Sequence, residues 1–182
     1  MTRASKQYTA EDFTHRISVK EYIAGYRDEK RILGYCQACR QFAKSWACPP
    51  YSHDLLAELM QYKEILLLAT KVTVLEPGLP ISEAQTLLRP ERIRAEKLLR
   101  DWEREKGGKA FAYAGECLYC PPGTCTRSAG EPCRHPELVR PSLEAYGFDI
   151  AKTTSELFGI ELKWGREGLL PEYLVLVSGL FY

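Results

Sequence analysis

The chain has 182 residues, 45% hydrophobic and 27% charged, with a formal net charge of +1 from 25 basic and 24 acidic side chains. That length suits one domain covering residues 1–182, with enough apolar material for a core. The charges are balanced and interleaved, as in residues 89–97, which argues against a surface built to bind nucleic acid.

The first residues, Met1-Thr2-Arg3-Ala4-Ser5-Lys6, lead into polar sequence, so no secretory signal is expected. Ser18-Val19-Lys20-Glu21 has the form of a capping box, and Tyr22, Ile23 and Tyr26 follow at helical spacing, a pattern that ends at Asp28-Glu29-Lys30. The chain then enters Cys36-Gln37-Ala38-Cys39 and Trp46-Ala47-Cys48-Pro49-Pro50. Ser52 is placed to cap a short helix whose stripe is Leu55, Leu56, Leu59 and Met60. The clearest strand covers Glu64–Val74, starting with the apolar run Ile65-Leu66-Leu67-Leu68-Ala69, which is far short of the roughly 18 residues a membrane span needs. Ser82 with Gln85 forms another capping box, but Pro90 is expected to break or kink that helix, with a second one over residues 90–106 ended by Gly107-Gly108. Residues 109–114 read as a strand leading to Cys117, residues 142–146 as one helical turn closed by Gly147. A short helix capped by Thr153 or Thr154 ends at Gly159, and a last strand runs over 173–177. The expected fold is α/β (or α+β), a small mixed sheet of three to five strands with packed helices and cysteine-rich loops.

Seven cysteines in a chain with no export signal point to a reducing cytoplasm, where they serve as ligands or reactive thiols rather than as disulfide partners. The second group is Cys117-x2-Cys120-x4-Cys125-x7-Cys133, broken up by Pro121-Pro122-Gly123 and Gly130-Glu131-Pro132. Four thiolates in a loop with few apolar residues suit a [4Fe-4S] cluster, whose loops favour short gaps and a nearby proline. Structural zinc is the alternative, although it more often uses two separated Cys-x2-Cys knuckles. The first group, Cys36, Cys39 and Cys48, is one thiolate short. It suits a cluster with one iron open, or zinc completed by His53; otherwise Cys36 and Cys39 are a metal-free pair and Cys48 a buried hydrophobe. Arg134 and Arg140 are placed to offset cluster charge, Trp46 and Tyr51 to exclude water near Cys48, and His135 to orient a ligand.

The combination Cys36-x2-Cys39, Trp46-x-Cys48-Pro49-Pro50, Gly115-x-Cys117-x2-Cys120, Cys133-Arg134-x-Pro136 and Arg140-Pro141-Ser142-x-Glu144-Ala145-x-Gly147 resembles a family of bacterial and archaeal cysteine-rich proteins described as predicted metal-binding proteins. The similarity runs from about Tyr35 to the last strand. It implies metal binding by these cysteines, in anaerobe-rich lineages where iron–sulfur chemistry is common, and it implies no particular reaction. This chain departs from the pattern in its inserted proline pair and in having Cys125 as third ligand of the loop. Nucleotide-loop, zinc-protease and radical S-adenosylmethionine motifs are absent from the sequence. The functions that remain are an iron–sulfur protein exchanging electrons with a redox or metalloenzyme partner, a catalyst using an open iron at Cys36, Cys39 and Cys48, and a zinc-held interaction module.

Overall fold

The run Ile65-Leu66-Leu67-Leu68-Ala69 is apolar at consecutive positions, so a strand built from it must be covered on both faces, and the fold is arranged around that requirement. The computed structural model describes residues 2–4, 7–112 and 115–182. In chain order the elements are β1 (Thr2–Ala4), β2 (Tyr8–Ser18), α1 (Val19–Tyr26), α2 (Glu29–Gln37), α3 (Leu55–Leu59), β3 (Glu64–Val74), α4 (Ala84–Lys106), β4 (Lys109–Phe111), α5 (Ile150–Phe158) and β5 (Tyr173–Phe181). Single 3-10 turns occur at Ile81–Glu83, Thr126–Ala129 and Glu144–Tyr146. The five strands form one sheet in the order β1-β2-β3-β5-β4, antiparallel at every pairing, with β3 at its centre. The chain therefore adopts the α+β alternative, a small five-stranded sheet with packed helices, and the sheet is wholly antiparallel where a mixed one was expected.

On one face α4 lays Leu87, Ala95 and Leu99 over Val72, Leu68, Leu176 and Leu180. On the other, Val19 and Tyr22 of α1, Leu59 of α3 and the segment Leu143, Ala145, Tyr146 and Phe148 pack on Ile65, Leu67, Val177 and Phe181. Each leucine or phenylalanine buried this fully stabilises the fold by about 2 kcal/mol. Tyr22 stacks on Phe148 at 4.5 Å, and Phe111 meets Tyr146 edge-on at 4.7 Å.

Several local expectations are corrected. Tyr8–Ser18 is a strand that the sequence does not announce, because its apolar residues change phase: Tyr8 and Ala10 lie on the α4 side, whereas Phe13 and Ile17 pack on the opposite core. Asp28 does not merely end α1; its carboxylate accepts from the Arg31 N–H at 3.2 Å and starts α2, which carries Cys36 in its last turn. The cap of α3 is Asp54, not Ser52, and His53 precedes the helix. Helix α4 runs unbroken through Pro90. The lost hydrogen bond costs about 3 kcal/mol in an isolated helix, and the buried side chains of Leu87 before it and Ala95 and Leu99 after it hold both halves on the sheet. Asp149 caps α5, accepting from the Lys152 N–H at 3.0 Å; Thr153 and Thr154 are buried inside the helix with their hydroxyls on carbonyls one turn back. The last strand continues to Phe181. Of the strand expected at 109–114, β4 forms and Ala112 bridges to Ser142, while Tyr113 and Ala114 lie outside the described residues. Gly108, at φ +95°, is required where it is: a Cβ there would come within 2.0 Å of the Phe181 carbonyl oxygen.

Candidate metal centre

The two cysteine groups lie close to one another, and each is placed by a different kind of anchoring. Cys36 closes α2, whose own position is set by Asp28 N–H donating to the Gly147 carbonyl at 2.9 Å and by the Arg31–Asp149 ion pair. The chain then turns tightly, with Cys39 N–H on the Cys36 carbonyl at 3.0 Å and Cys48 N–H on the Ser45 carbonyl at 3.0 Å, before the cis Pro49-Pro50 peptide. Tyr51 donates back to the Ala47 carbonyl at 2.8 Å.

The second group lies on a segment with almost no core: across residues 115–140 only Thr126 is buried. Polar clamps hold it instead. Arg92 of α4 donates to the Glu116 carbonyl at 2.5 Å, and Tyr119 is fixed between Arg100 at 2.6 Å and Glu96. Thr126 donates to the Pro132 carbonyl at 2.8 Å, Arg134 to the Thr124 carbonyl at 2.8 Å, and Arg140 forks onto both oxygens of Glu103 at 2.9 Å. Arg127 joins the two groups, donating to the carbonyls of Ser45 at 2.7 Å, Cys48 and Pro50, and lying 5.1 Å from the centre of the Trp46 ring.

The seven thiols divide as the sequence divides them. Cys117, Cys120, Cys125 and Cys133 line one cavity of about 340 Å³, and Cys36, Cys39 and Cys48 line another of about 240 Å³. Arg40, Gln41 and Glu116 belong to both cavities and form their common wall, with the Glu116 carboxylate accepting from Arg40 at 3.1 Å and Gln41 at 3.0 Å. Three thiols receive an N–H from two residues further on: Gln41 to Cys39 at 3.5 Å, His135 to Cys133 at 3.4 Å, and Tyr119 to Cys117. Such amides stabilise a ligating thiolate. Among the described residues, no three His, Cys, Asp or Glu side chains are drawn together as a single metal ion needs.

Electrostatics in the first cavity are unfavourable to free thiolates. Burial pushes the Cys36 thiol up to about 11, reinforced by Glu144, Cys48 and Cys39. Burial and then Cys39 raise Cys48, against the Ser45 hydrogen bond and the Arg127 charge; burial also raises Cys117. Desolvated, mutually repelling sulfurs of this kind are stabilised as thiolates by a bound cation.

Other sequence candidates move. His53 lines a separate cleft with Pro49, Pro50 and Tyr51, and its Nε2 is engaged with Glu58 at 3.1 Å and the Tyr146 hydroxyl at 3.3 Å; it is not among the residues lining the three-cysteine cavity. Arg140 lines the first cavity, not the second, with its charge matched by Glu103, and Arg134 braces the loop. Trp46 is 37% exposed and lines the second cavity, its indole N–H on the Glu131 carbonyl at 3.2 Å, so it shields Cys48 poorly. Residues that sequence reasoning passed over are Arg127, Glu116 and Glu144. The last lies inside the Arg140-Pro141-Ser142-x-Glu144 motif, which was signal enough to single it out.

No match was found among curated proteins or among solved structures. A family described as "Predicted metal-binding protein (DUF2284)" matches residues 23–181, a span that holds all seven cysteines. The chain belongs to this family of predicted metal-binding proteins.

Proposed function

We propose that the protein is an iron–sulfur protein holding two [4Fe-4S] clusters, one in each cysteine-lined cavity, and that it passes electrons to or from a redox or metalloenzyme partner. The observation that carries this reading is the pair of adjoining cavities, each lined by one cysteine group and divided by Arg40, Gln41 and Glu116. A tetrahedral zinc ion, with Zn–S near 2.3 Å, draws its sulfurs to about 3.8 Å from one another. Thiols arranged around a cavity suit a larger body standing between them. When bound, the clusters supply one-electron redox chemistry at potentials set by charge, hydrogen bonding and exposure.

The chain's own part is to hold and tune. Cys117, Cys120, Cys125 and Cys133 form a complete thiolate set, and Cys36, Cys39 and Cys48 an incomplete one. The Gln41, Tyr119 and His135 amides stabilise negative charge on sulfur. The Glu116 carboxylate fixes Arg40 and Gln41 in the shared wall, and Arg127 ties one loop to the other. Cys39 is exposed, which puts the first site within reach of a docked protein. The incomplete set favours a second reading, catalysis at an iron of the first site.

Anaerobic purification followed by metal and sulfide analysis tests the proposal. A brown protein absorbing near 400 nm with about eight iron and eight sulfide per chain is expected, reducible and reoxidisable in a redox titration. One or two zinc ions without acid-labile sulfide overturn the cluster assignment. Clusters that remain oxidised throughout the titration overturn electron transfer and leave the catalytic reading.

A further inference from the structure

The first cavity is lined by three thiols and by a fourth acidic side chain. Glu144 lines it together with Cys36, Cys39 and Cys48. Its carboxylate accepts hydrogen bonds from Ser142 and from its own N–H, while its Oε2 is shut off from solvent and has no hydrogen-bond partner. A carboxylate oxygen shut off from solvent costs several kcal/mol unless a proton or a cation compensates it. The two arginines that line the same cavity are engaged elsewhere, Arg140 with Glu103 and Arg40 with Glu116.

The position of Glu144 is also fixed with unusual care for a surface-type residue. It begins the 3-10 turn Glu144–Tyr146, between Leu143 at 0% and Ala145 at 2% exposure. Arg27 donates to the Tyr146 carbonyl at 2.9 Å, and Asp149 N–H to the Tyr26 carbonyl at 2.8 Å. At Gly147 a Cβ would stand 2.8 Å from Glu29 Cα, so the turn presses directly on the first residue of α2. The helix that carries Cys36 in its last turn and the turn that starts with Glu144 are thus packed directly against each other. Ligands held this way are preorganised for a metal group between them.

We infer that Glu144 is the fourth protein ligand of the Cys36, Cys39 and Cys48 site, binding one iron through its carboxylate. The inference rests on the cluster reading above and deepens it. A carboxylate is a harder, more readily displaced donor than a thiolate. The two clusters are then unlike: the second is closed by four sulfurs, and the first carries one oxygen-ligated iron that exchanges more easily.

The test uses the full chain, reconstituted anaerobically with Mössbauer-active iron, as wild type, Glu144→Gln and Glu144→Cys. Wild type should show about one iron in eight with an oxygen-ligated signature, the remainder being all-sulfur. Ferricyanide should remove that iron, taking one electron and releasing one ferrous ion, to leave a three-iron cluster seen by electron paramagnetic resonance. In Glu144→Gln the distinct iron should be lost on isolation, giving about seven iron per chain. Glu144→Cys should keep about eight, with the distinct component merged into the sulfur-ligated ones and the three-iron signal suppressed. Retention of iron in Glu144→Cys shows that the site still folds. Eight iron in wild type with no oxygen-ligated component, or that component persisting in Glu144→Cys, overturns the ligand assignment and leaves the cluster reading standing. Zinc or absent sulfide in wild type overturns the cluster reading itself.

Discussion

The two cysteine regions solve the same problem by opposite means. Around Cys36 and Cys48 the chain is tied to the core: Ile32 of α2, Leu59 of α3 and the Leu143–Phe148 packing are all buried. Around Cys117 to Cys133 there is one buried residue, Thr126, and every anchor is a hydrogen bond or an ion pair. Burial of apolar surface stabilises the first region whether or not a ligand is present. The second gains little from collapse, and polar clamps to water-accessible groups contribute modestly each. The difference teaches that apolar packing makes the first region part of the fold, and it leads us to expect that the second depends on satisfaction of its sulfurs.

The largest effect that would break this comparison comes from removing metal. Chelation should make residues 115–136 protease-sensitive while β3 and β5 stay protected. Cys117→Ser or Cys133→Ser should do the same and lose about four of eight iron. Limited proteolysis with mass analysis reads both. Unchanged cleavage of the loop in these variants means that the clamps alone hold it, and the contrast between the regions disappears.

Next in size is Arg127, which spans Ser45, Cys48 and Pro50 carbonyls. Arg127→Ala should destabilise the docking of the two loops by about 2 kcal/mol, the worth of charge-assisted hydrogen bonds. Hydrogen exchange should then quicken in both loops together. Arg127→Lys should recover little of this, since a single ammonium cannot fork across three carbonyls. Faster exchange confined to one loop would show that Arg127 does not couple them.

How much of this was legible in the sequence follows the same division. The sorting of the cysteines between the two cavities was readable from spacing alone, because residues within one loop cannot separate far in space. The central strand, the Gly107 and Gly147 stops and the Ser18 cap were readable from local chemistry, and Ser18 does accept from the Glu21 N–H at 3.2 Å. What was not readable depended on distant partners. The strand Tyr8–Ser18 is stabilised by pairing along its whole length with β3. Pro90 is tolerated because the sheet holds α4 from below. His53 is plausible as a ligand by spacing, yet Glu58 and Tyr146, the latter far along the chain, hold it in another cleft. Glu144 has the opposite history: nothing in spacing puts it near Cys36, and only the turn packed on α2 does so.

A smaller effect sharpens the first region specifically. Burial raises the Glu58 carboxyl, but hydrogen bonds from Lys109, Tyr146 and His53 and the Lys109 charge bring it below its ordinary 4.5. Asp149 is likewise lowered overall, burial being outweighed by the Lys152 N–H and Arg31. A carboxyl whose folded value is depressed binds fewer protons folded than unfolded. Its contribution is therefore complete above the unfolded value and is lost as pH falls through the folded one. Urea midpoints of the metal-free chain should hold steady from about pH 7 to about pH 5 on this account and fall below it. Glu58→Gln and Asp149→Asn should each flatten the acid limb. A limb unchanged in both would show that these pairs do not secure α3 and α5.

The smallest effect is expected from His53→Ala. His53 is half-exposed, and its Nε2 serves Glu58 and the Tyr146 hydroxyl, both of which keep Lys109 when the imidazole is removed. Stability should change by no more than about 0.5 kcal/mol, as for other exposed polar contacts. Iron and sulfide should remain at the wild-type level, because His53 lines the cleft of Pro49, Pro50 and Tyr51 and not the cavity of Cys36, Cys39 and Cys48. The result is informative because His53 and Glu144 compete for one role. Each lies near the three-cysteine site along the chain or in space, and a four-ligand cluster has room for only one of them. Loss of iron in His53→Ala with retention in Glu144→Gln would mean that the residue before α3 swings across the Pro49-Pro50 turn to close the site. Retention in His53→Ala with loss in Glu144→Gln places the closure on the turn that braces α2, where packing already holds a carboxylate oxygen without a partner.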